Sequence, residues 1–329
     1  MSNQHSGSAN AKRSGLSFEW AVASALLELL PRHGAHCQIE IERNDHSELC
    51  QRAFESYVSR EQHGRLKSAR TGVEHIASRE AERLSAAKKL VIRLQADGNG
   101  KDGDVRDVVV TDDEGISLGI SCKNNHEDFK HPRLSGTADF VRNWNLGRGC
   151  TEEYWNQVNP IFDELRRIKE ESASTAQFAD IGDLREGYLW PVLNAFEAEI
   201  KRQIALQDSG RPNVATQVVR YVIGVRDFYK LIRQTDESLV VVQAFNFGGT
   251  LRGRRSIMPE TLIDVEDLSP GSSLVARNDP TKVLTFDRGY AFSFRLHNGD
   301  GLVRPSLKLA VGAVGLPARE IYTTHLDDS

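Results

Sequence analysis

The sequence predicts a mixed α/β fold of the α+β kind, in which helices flank a mixed central sheet and the C-terminal part is rich in strands. Three observations support this class: an apolar helical stretch over 16–30, a hairpin pattern over 105–124, and several strand-like segments after residue 216. Of 329 residues, 39% are hydrophobic and 27% charged, which is typical of a globular protein. That length suits one large domain or about two.

The N-terminal segment is polar and lacks the apolar core of an export signal, so residues 1–15 are expected to form a disordered tail. No apolar run approaches the ~18 residues that would predict a membrane span, so we expect no membrane contact. A cytoplasmic location is expected. The four cysteines (Cys37, Cys50, Cys122 and Cys150) have no C-x-x-C spacing, so they predict reduced thiols and do not suggest zinc.

The first helix is predicted over 16–30, where Pro31 ends it. It is apolar nearly all round, which is typical of a buried helix. Glu19 has Leu16, Val22 and Ala23 among its three- and four-residue neighbours. A carboxylate on such a surface is costly unless it is paired or binds a metal. The alternative is that Glu19 faces solvent near the helix start, where the helix dipole favours an acid.

The central hairpin is predicted to have strands over 105–111 and 116–124, joined by a turn at 112–115. Side chains alternate along a strand, which places Ser121 and Lys123 on one face and predicts that Asp107 and Lys123 meet across the ladder. A carboxylate that holds a hard cation, beside a lysine near the attacking water and the phosphate, suits a metal-dependent phosphodiesterase. The alternative is that both are solvated residues at strand ends.

Further elements follow from periodicity and from the glycine and proline residues between them. Helices are predicted over 47–89 and 188–206, and the spacing of Tyr154, Val158 and Phe162 within 139–170 predicts a core-facing helical stripe. Strands are predicted over 36–42 (a strand or a helix end), 90–96, 216–225, 238–247, 283–297 and 306–312. The expected organisation is a core over 16–170 with inserted helices, followed by a helical connection and a β-rich recognition part over 171–329, packed together as one unit.

Basic and amide side chains follow the hairpin and return in the second half of the chain. Such groups suit contacts to phosphates and base edges, and arginine suits bidentate readout of guanine. The alternative is ordinary polar loops. The net charge of −4 does not exclude a local DNA-binding cleft. The candidates for DNA contact are Asn124, Asn125, His126, Lys130, His131, Arg133, Arg252, Arg254, Arg255, Arg295 and Lys308.

Four segments resemble the HaeIII-type restriction endonucleases, which belong to the PD-(D/E)XK nucleases. They are GISCKNNHEDFKHPRLS at 119–135, VIGVRDFYKLI at 222–232, AFNFGGTL at 244–251 and SFRLHNGDGLVRPSLKL at 293–309. The resemblance extends from about residue 15 to 320. It implies a restriction-endonuclease-like core with Asp107 as the first acid of the motif, Lys123 as its lysine and Glu19 as the acid of the first helix.

Two positions depart from the family pattern. Arg106 replaces the proline of the PD pair, which supplies no ligand, and Ser121 stands where the second acid is expected. The resemblance implies that Mg²⁺ is held by Asp107 and Glu19, with Ser121 and Lys123 completing the catalytic set. Because a hydroxyl carries no negative charge, either Glu19 supplies that charge, or the site holds one metal, or catalysis is weak. The first alternative is favoured.

The resemblance further implies a type II restriction endonuclease that hydrolyses double-stranded DNA at a short G·C-rich palindrome, with GGCC as the family's target. A cognate DNA methyltransferase would be its genetic partner. A homodimer would match the palindrome, although monomeric solutions exist. The alternatives are a junction or repair nuclease with the same core, a catalytically impaired DNA-binding protein, and a protein with no nucleic-acid role.

Overall fold

The computed structural model describes residues 3–96, 103–125, 128–129, 131–172, 174–268, 279–299 and 301–328. For residues 3–9 it describes the backbone only. The chain divides into two compact units built from interleaved segments. The first unit comprises 1–127, 225–257 and 318–329, and the second comprises 128–224 and 258–317. The predicted core over 16–170 and recognition part over 171–329 divide the chain only once, because periodicity does not show which strands pair.

The described residues form six α-helices and twelve strands. The helices are α1 (Asn3–Leu29), α2 (Asp45–Glu55), α3 (Ser59–Ser85), α4 (Glu152–Glu171), α5 (Trp190–Ala205) and α6 (Val214–Ile223). The strands are β1 (Gln38–Ile41), β2 (Lys89–Leu94), β3 (Val108–Asp112), β4 (Ser117–Asn124), β5 (Arg133–Ser135), β6 (Phe228–Gln234), β7 (Leu239–Phe245), β8 (Leu262–Asp267), β9 (Thr281–Phe286), β10 (Ala291–His297), β11 (Ser306–Gly315) and β12 (Tyr322–Asp327).

The first unit contains a seven-stranded mixed sheet in the order β1-β2-β3-β4-β6-β7-β12. Strands β1 and β2 are parallel, as are β4 and β6, and the other neighbours are antiparallel. Helices α1, α2 and α3 pack with this sheet, and apolar side chains such as Phe18, Val22 and Leu26 are buried. The predicted mixed α/β class with a helix-flanked sheet is confirmed.

The N-terminal helices differ from the sequence prediction in their bounds. Helix α1 begins at Asn3, so residues 3–15, expected as a tail, form its first turns. The single helix predicted over 47–89 is two helices. Helix α2 starts at a capping box, in which Asn44 Oδ1 accepts from the Ser47 amide and Ser47 Oγ accepts from the Asn44 amide. This cap fixes the register of α2.

The second unit contains a five-stranded antiparallel sheet in the order β5-β11-β10-β9-β8. Helices α4, α5 and α6 belong to the same unit. Its interior is aromatic: Phe140 lies 5.3 Å from the Tyr154 ring and 5.0 Å from the Phe196 ring. Tyr154, Val158 and Phe162 of α4 are fully buried, which confirms the predicted core-facing stripe.

One predicted strand is wrong. Residues 214–223 form helix α6, because Asn213 Oδ1 caps its start by accepting from the Thr216 amide and Gly224 follows its end. A strand was predicted here because the segment is rich in valine, which has a high β-propensity. Tertiary context overrides this propensity in the folded protein. The strand predicted over 283–297 is two strands, β9 and β10, separated by a turn in which Arg288 has φ 62°.

Helix α3 offers a packing test with an internal control. A Cβ added at Gly72 would overlap Leu231 Cδ1 on β6. Gly72→Ala is therefore expected to lower the free energy of unfolding by about 1–3 kcal/mol through overpacking. In the same helix, Gly64→Ala would meet only Arg233 Nη2 at 3.4 Å, at the far end of a flexible side chain. That change should raise stability by up to about 1 kcal/mol through helix propensity.

Urea denaturation of the two alanine variants beside the natural protein measures both changes. An equal effect at the two positions would contradict the close α3–β6 packing.

Candidate active site

The β3–β4 hairpin holds the carboxylate of Asp107 at the end of its ladder. The Asp107 amide donates to Ile120 O at 2.9 Å, just beyond the paired residues Val108 and Ile120. Asp107 Oδ2 accepts from the Cys122 amide at 2.6 Å and from Ser121 Oγ at 3.2 Å. Beyond the end of the ladder, the Cys122 amide thus donates to this carboxylate and not to a backbone carbonyl, which fixes the orientation of the Asp107 side chain.

Lys123 lies near this carboxylate and is partly exposed. It follows Ser121 by two residues on β4, so both side chains share a face. The Lys123 charge acts to lower the pKa of Asp107, although no ion pair to Lys123 is formed within the described part of the chain. The ammonium is therefore close to Asp107 without being bound to it.

Glu19 of α1 reaches the same region. Burial raises the pKa of Asp107, the Lys123 charge lowers it and the Glu19 charge raises it, so that the pKa is about 7. Burial also raises the pKa of the Cys122 thiol, and the charges of Asp107, Glu19 and Cys50 act in the same direction. The structure thus brings together Asp107, Lys123, Glu19 and Ser121, all four members of the predicted catalytic set.

Two side chains of α2 stand beside Glu19 and were missed by the sequence analysis. His46 Nε2 lies 3.2 Å from Glu19 Oε2, and Cys50 Sγ donates to the same oxygen at 3.4 Å. Cys50 Sγ is 3.5 Å from His46 Nε2. The available signal was the H-x-x-x-C spacing, which puts both side chains on one helix face. Periodicity alone did not predict that this face meets Glu19.

The residues present fit a hard divalent cation. Asp107 and Glu19 supply two carboxylates whose mutual repulsion contributes to the raised pKa of Asp107, and a cation would relieve it. The two hydrogen bonds to Asp107 use Oδ2, which leaves Oδ1 for a ligand bond. Since Mg²⁺ is often bound through one or two carboxylates and several waters, this donor set is sufficient.

The raised pKa of Asp107 predicts a pH-dependent stability of the metal-free protein. Between the ordinary pKa of 3.8 and the folded pKa of about 7, the folded state binds more protons than the unfolded state. The free energy of unfolding should therefore fall as pH rises through this range. Asp107→Asn removes the titration, so it should stabilise the metal-free protein at pH 8 by on the order of 2–4 kcal/mol.

Urea denaturation with a chelator present, at pH 5 and pH 8, measures this difference. A gain that is the same at both pH values, or larger at pH 5, would contradict the raised pKa.

The amide residues after β4 are held by the first unit itself. Asn124 Nδ2 donates to Ser14 Oγ at 2.6 Å, and its Oδ1 accepts from Arg233 at 3.3 Å. Asn125 has φ 60° and its Oδ1 accepts from the Thr235 amide at 2.7 Å. Both predicted DNA contacts thus have a structural role at the end of β4. His126 and Lys130 lie outside the described residues.

Other candidates for DNA contact lie in the second unit. Arg133 on β5 stands opposite Lys308 on β11, which in turn stands opposite His297 on β10. We call these three residues the basic row. Burial lowers the pKa of His297, and the charges of Arg295 and Lys308 lower it further. Arg295 pairs with Asp279 at 2.8 Å.

The predicted DNA contact His131 also belongs to the second unit, where its Nε2 lies 3.7 Å from Asp128 Oδ2.

The loop over 248–255, which carries the predicted DNA contacts Arg252, Arg254 and Arg255, belongs to the first unit and has a fixed backbone. Asp227 accepts from the amides of Gly248 and Thr250, and Gly253 has φ +108°, which favours glycine. Arg255 Nε donates to Phe247 O at 2.6 Å, so this guanidinium holds the loop. The other two predicted arginines, Arg252 and Arg254, line a cavity of about 160 Å³ together with Arg79, Arg319, Glu320 and Tyr322.

A chain with an oriented carboxylate, a nearby lysine and a second acid at a sheet end has the equipment of a metal-dependent hydrolase. Residues 15–317 match the model of the HaeIII restriction endonuclease family. The chain is also 30% identical over 316 residues to the type II restriction enzyme HaeIII of Haemophilus aegyptius, covering 92% of this chain and 94% of the relative. No solved structure matches.

The chain therefore belongs to the HaeIII restriction endonuclease family, as the resemblance predicted. Its enzyme class is that of a site-specific deoxyribonuclease acting on double-stranded DNA, and type II restriction endonucleases generally need divalent metal ions. Within the described residues, no helix combines the length and apolar character needed to cross a membrane.

Proposed function

We propose that the protein is a type II restriction endonuclease that hydrolyses phosphodiester bonds of double-stranded DNA with Mg²⁺, at a short G·C-rich palindrome of the GGCC type. The observation that supports this most is the oriented carboxylate of Asp107 with Lys123 and Glu19 nearby. The seven-stranded mixed sheet with helices is compatible with a PD-(D/E)XK core, which is part of the proposal.

In this proposal each residue of the site has a distinct role. Asp107 and Glu19 would hold Mg²⁺, which supplies Lewis-acid stabilisation of developing negative charge. Ser121 and the Cys122 amide keep the Asp107 carboxylate in one orientation through their hydrogen bonds. Lys123 orients or deprotonates the attacking water and offsets charge on the phosphate. Ser121 thus serves as an orienting residue, and Glu19 supplies the second negative charge.

The basic row is proposed to contact the DNA backbone. Arg133 and Lys308 carry like charges directly opposite one another on neighbouring strands and repel, so a bound phosphate would stabilise this pair, with His297 beside it as a hydrogen-bonding group. Asn124, Asn125, His126, Lys130, His131 and Arg295 remain candidates for further contacts. For base reading we favour Arg252 and Arg254, because both line a cavity. Arg255 is less suited, because its guanidinium donates to Phe247 O within the loop.

Lys308→Ala tests the basic row. Removing one phosphate contact should weaken binding of any duplex and reduce the slope of log affinity against log salt by about 1. Fluorescence anisotropy over a salt series measures both quantities. Arg166→Ala is the matched control, since Arg166 pairs with Asp163 on α4 of the same unit and should leave the slope unchanged. An unchanged slope in Lys308→Ala would exclude this contact.

Digestion of a plasmid of known sequence with Mg²⁺, followed by sequencing of the fragment ends, tests the function as a whole. Discrete fragments that end in one G·C-rich palindrome are expected. An intact plasmid, together with cleavage of branched DNA, would instead favour a junction nuclease with the same core. Binding without any cleavage, by the natural protein and by Lys123→Ala alike, would favour an impaired DNA-binding protein.

We further propose the partners and the setting that such an enzyme requires. A DNA methyltransferase of the same specificity would protect the cell's own sites, and the cytoplasm, where bacterial DNA lies, would be the location. A homodimer would match the two-fold symmetry of a palindrome. Sedimentation of the protein with a cognate duplex distinguishes two copies on one site from a single copy.

A further inference from the structure

Glu19, His46 and Cys50 form a cluster that the proposed cleavage mechanism does not use as a unit. We call it the Glu-His-Cys cluster. Its three candidate ligand atoms, Glu19 Oε2, His46 Nε2 and Cys50 Sγ, lie within 4.8 Å of one another. We propose that the Glu-His-Cys cluster is a binding site for a borderline transition-metal ion of the Zn²⁺ class, distinct in chemistry from the Mg²⁺ site.

The distances among the three atoms support this proposal. A tetrahedral zinc ion with usual bond lengths requires separations of about 3.3 Å between its oxygen and nitrogen ligands, about 3.5 Å between oxygen and sulfur, and about 3.6 Å between nitrogen and sulfur. The corresponding separations here are 3.2, 3.4 and 3.5 Å. The three atoms thus already occupy three corners of a tetrahedron of the right size.

The donor types select the metal. Thiolate and imidazole favour zinc, cobalt and their neighbours, whereas Mg²⁺ prefers oxygen ligands in an octahedron. The cluster supplies one sulfur, one nitrogen and one oxygen, and only the oxygen is a ligand of the kind that Mg²⁺ prefers. Three protein ligands leave the fourth tetrahedral position for water, as in zinc sites that are not purely structural.

The local structure holds the ligands in place. His46 and Cys50 are one helical turn apart on α2, whose start is fixed by the capping box of Asn44 and Ser47. Cys50 is fully buried, and the side chains of His46 and Glu19 retain only 16% and 14% of their exposure.

The position of the cluster links it to the cleavage site through a single carboxylate. His46 and Cys50 both approach Oε2 of Glu19, and the charge of the same Glu19 carboxylate acts on Asp107. A Glu19 carboxylate shared between two ions would couple the cluster to the cleavage site. This link rests on the proposed function, but the metal site itself does not, because its ligand distances are independent of DNA cleavage.

Cobalt binding tests the proposal, because four-coordinate Co²⁺ with a thiolate ligand gives intense visible bands and a sulfur-to-metal charge-transfer band in the near ultraviolet. The full-length protein, stripped with a chelator, is titrated with Co²⁺ and then with Zn²⁺. We expect one Co²⁺ per chain with both features, displacement by one equivalent of Zn²⁺, and no displacement by a large molar excess of Mg²⁺.

Variants identify the ligands. Cys50→Ser should remove the charge-transfer band, and His46→Gln should weaken Co²⁺ affinity at least tenfold while the band persists at saturation. Cys37→Ser is the matched control, since this thiol lies in the same unit and does not belong to the cluster. If circular dichroism shows that Cys50→Ser does not fold, the Co²⁺ affinity of His46→Gln alone decides whether the cluster binds the metal.

The proposal is overturned if the natural protein gives no charge-transfer band, if His46→Gln binds Co²⁺ as tightly as the natural protein, or if Cys37→Ser removes the band. Asp107→Asn separates the two proposals. It should be inactive on DNA and yet bind Co²⁺ with the same spectrum, so that a failure of the cleavage mechanism leaves the metal result unaffected and the reverse also holds.

Discussion

Asp107→Asn is expected to reduce the rate of DNA cleavage at least about a thousandfold, because stabilisation of several kcal/mol by a correctly held cation is lost. The substitution keeps an oxygen that accepts from the Cys122 amide at the same place, so the hairpin should stay intact. The loss would therefore report the missing charge. Single-turnover cleavage of a labelled duplex in Mg²⁺ measures the rate.

The matched control for this prediction is Asp113→Asn, since Asp113 is an exposed acid in the turn of the same hairpin, where it accepts from the Lys88 amide. It should cleave at the natural rate. DNA binding by Asp107→Asn, measured in Ca²⁺ or without metal, should be retained. Cleavage at the natural rate by Asp107→Asn would remove Asp107 from the proposed site and leave the fold unaffected.

Lys123→Ala is the prediction with the next largest effect. A positioned proton-transfer or charge-stabilising group contributes about 10²–10⁴-fold, so the cleavage rate should fall within that range while DNA binding changes little. The loss of the Lys123 charge should also raise the pKa of Asp107 further, because this charge now lowers it. The pH at which the remaining cleavage reaches half its maximum should then move upward.

Lys123→Arg keeps the charge but changes its shape and its ability to give up a proton. If it restores most of the rate, Lys123 acts through charge alone, and if it does not, Lys123 acts on the water. Lys89→Ala is a surface control, because Lys89 pairs with Glu40 on the neighbouring strand β1. A rate for Lys123→Ala equal to that of Lys89→Ala would exclude Lys123 from the chemistry.

The sequence predicted the hairpin and the approach of Asp107 to Lys123 because both depend on local alternation and a short turn. It also identified Glu19, since burying a carboxylate among apolar neighbours costs free energy unless the carboxylate is paired or binds a metal. His46 and Cys50 were missed because their role depends on how α2 packs on α1, and no spacing within α2 specifies that contact. Residues 214–223 were predicted as a strand because valine spacing alone does not separate a short helix from a buried strand.

The chain order of the seven-stranded sheet has a consequence for synthesis on the ribosome. Strand β4, which carries Ser121 and Lys123, has β6 as its parallel neighbour, and the sheet ends in β12 near the last residue. Nascent chains emerge from the N-terminus, so this sheet cannot be completed until β12 has left the exit tunnel. Ser121 and Lys123 are therefore synthesised well before the sheet that positions them is complete.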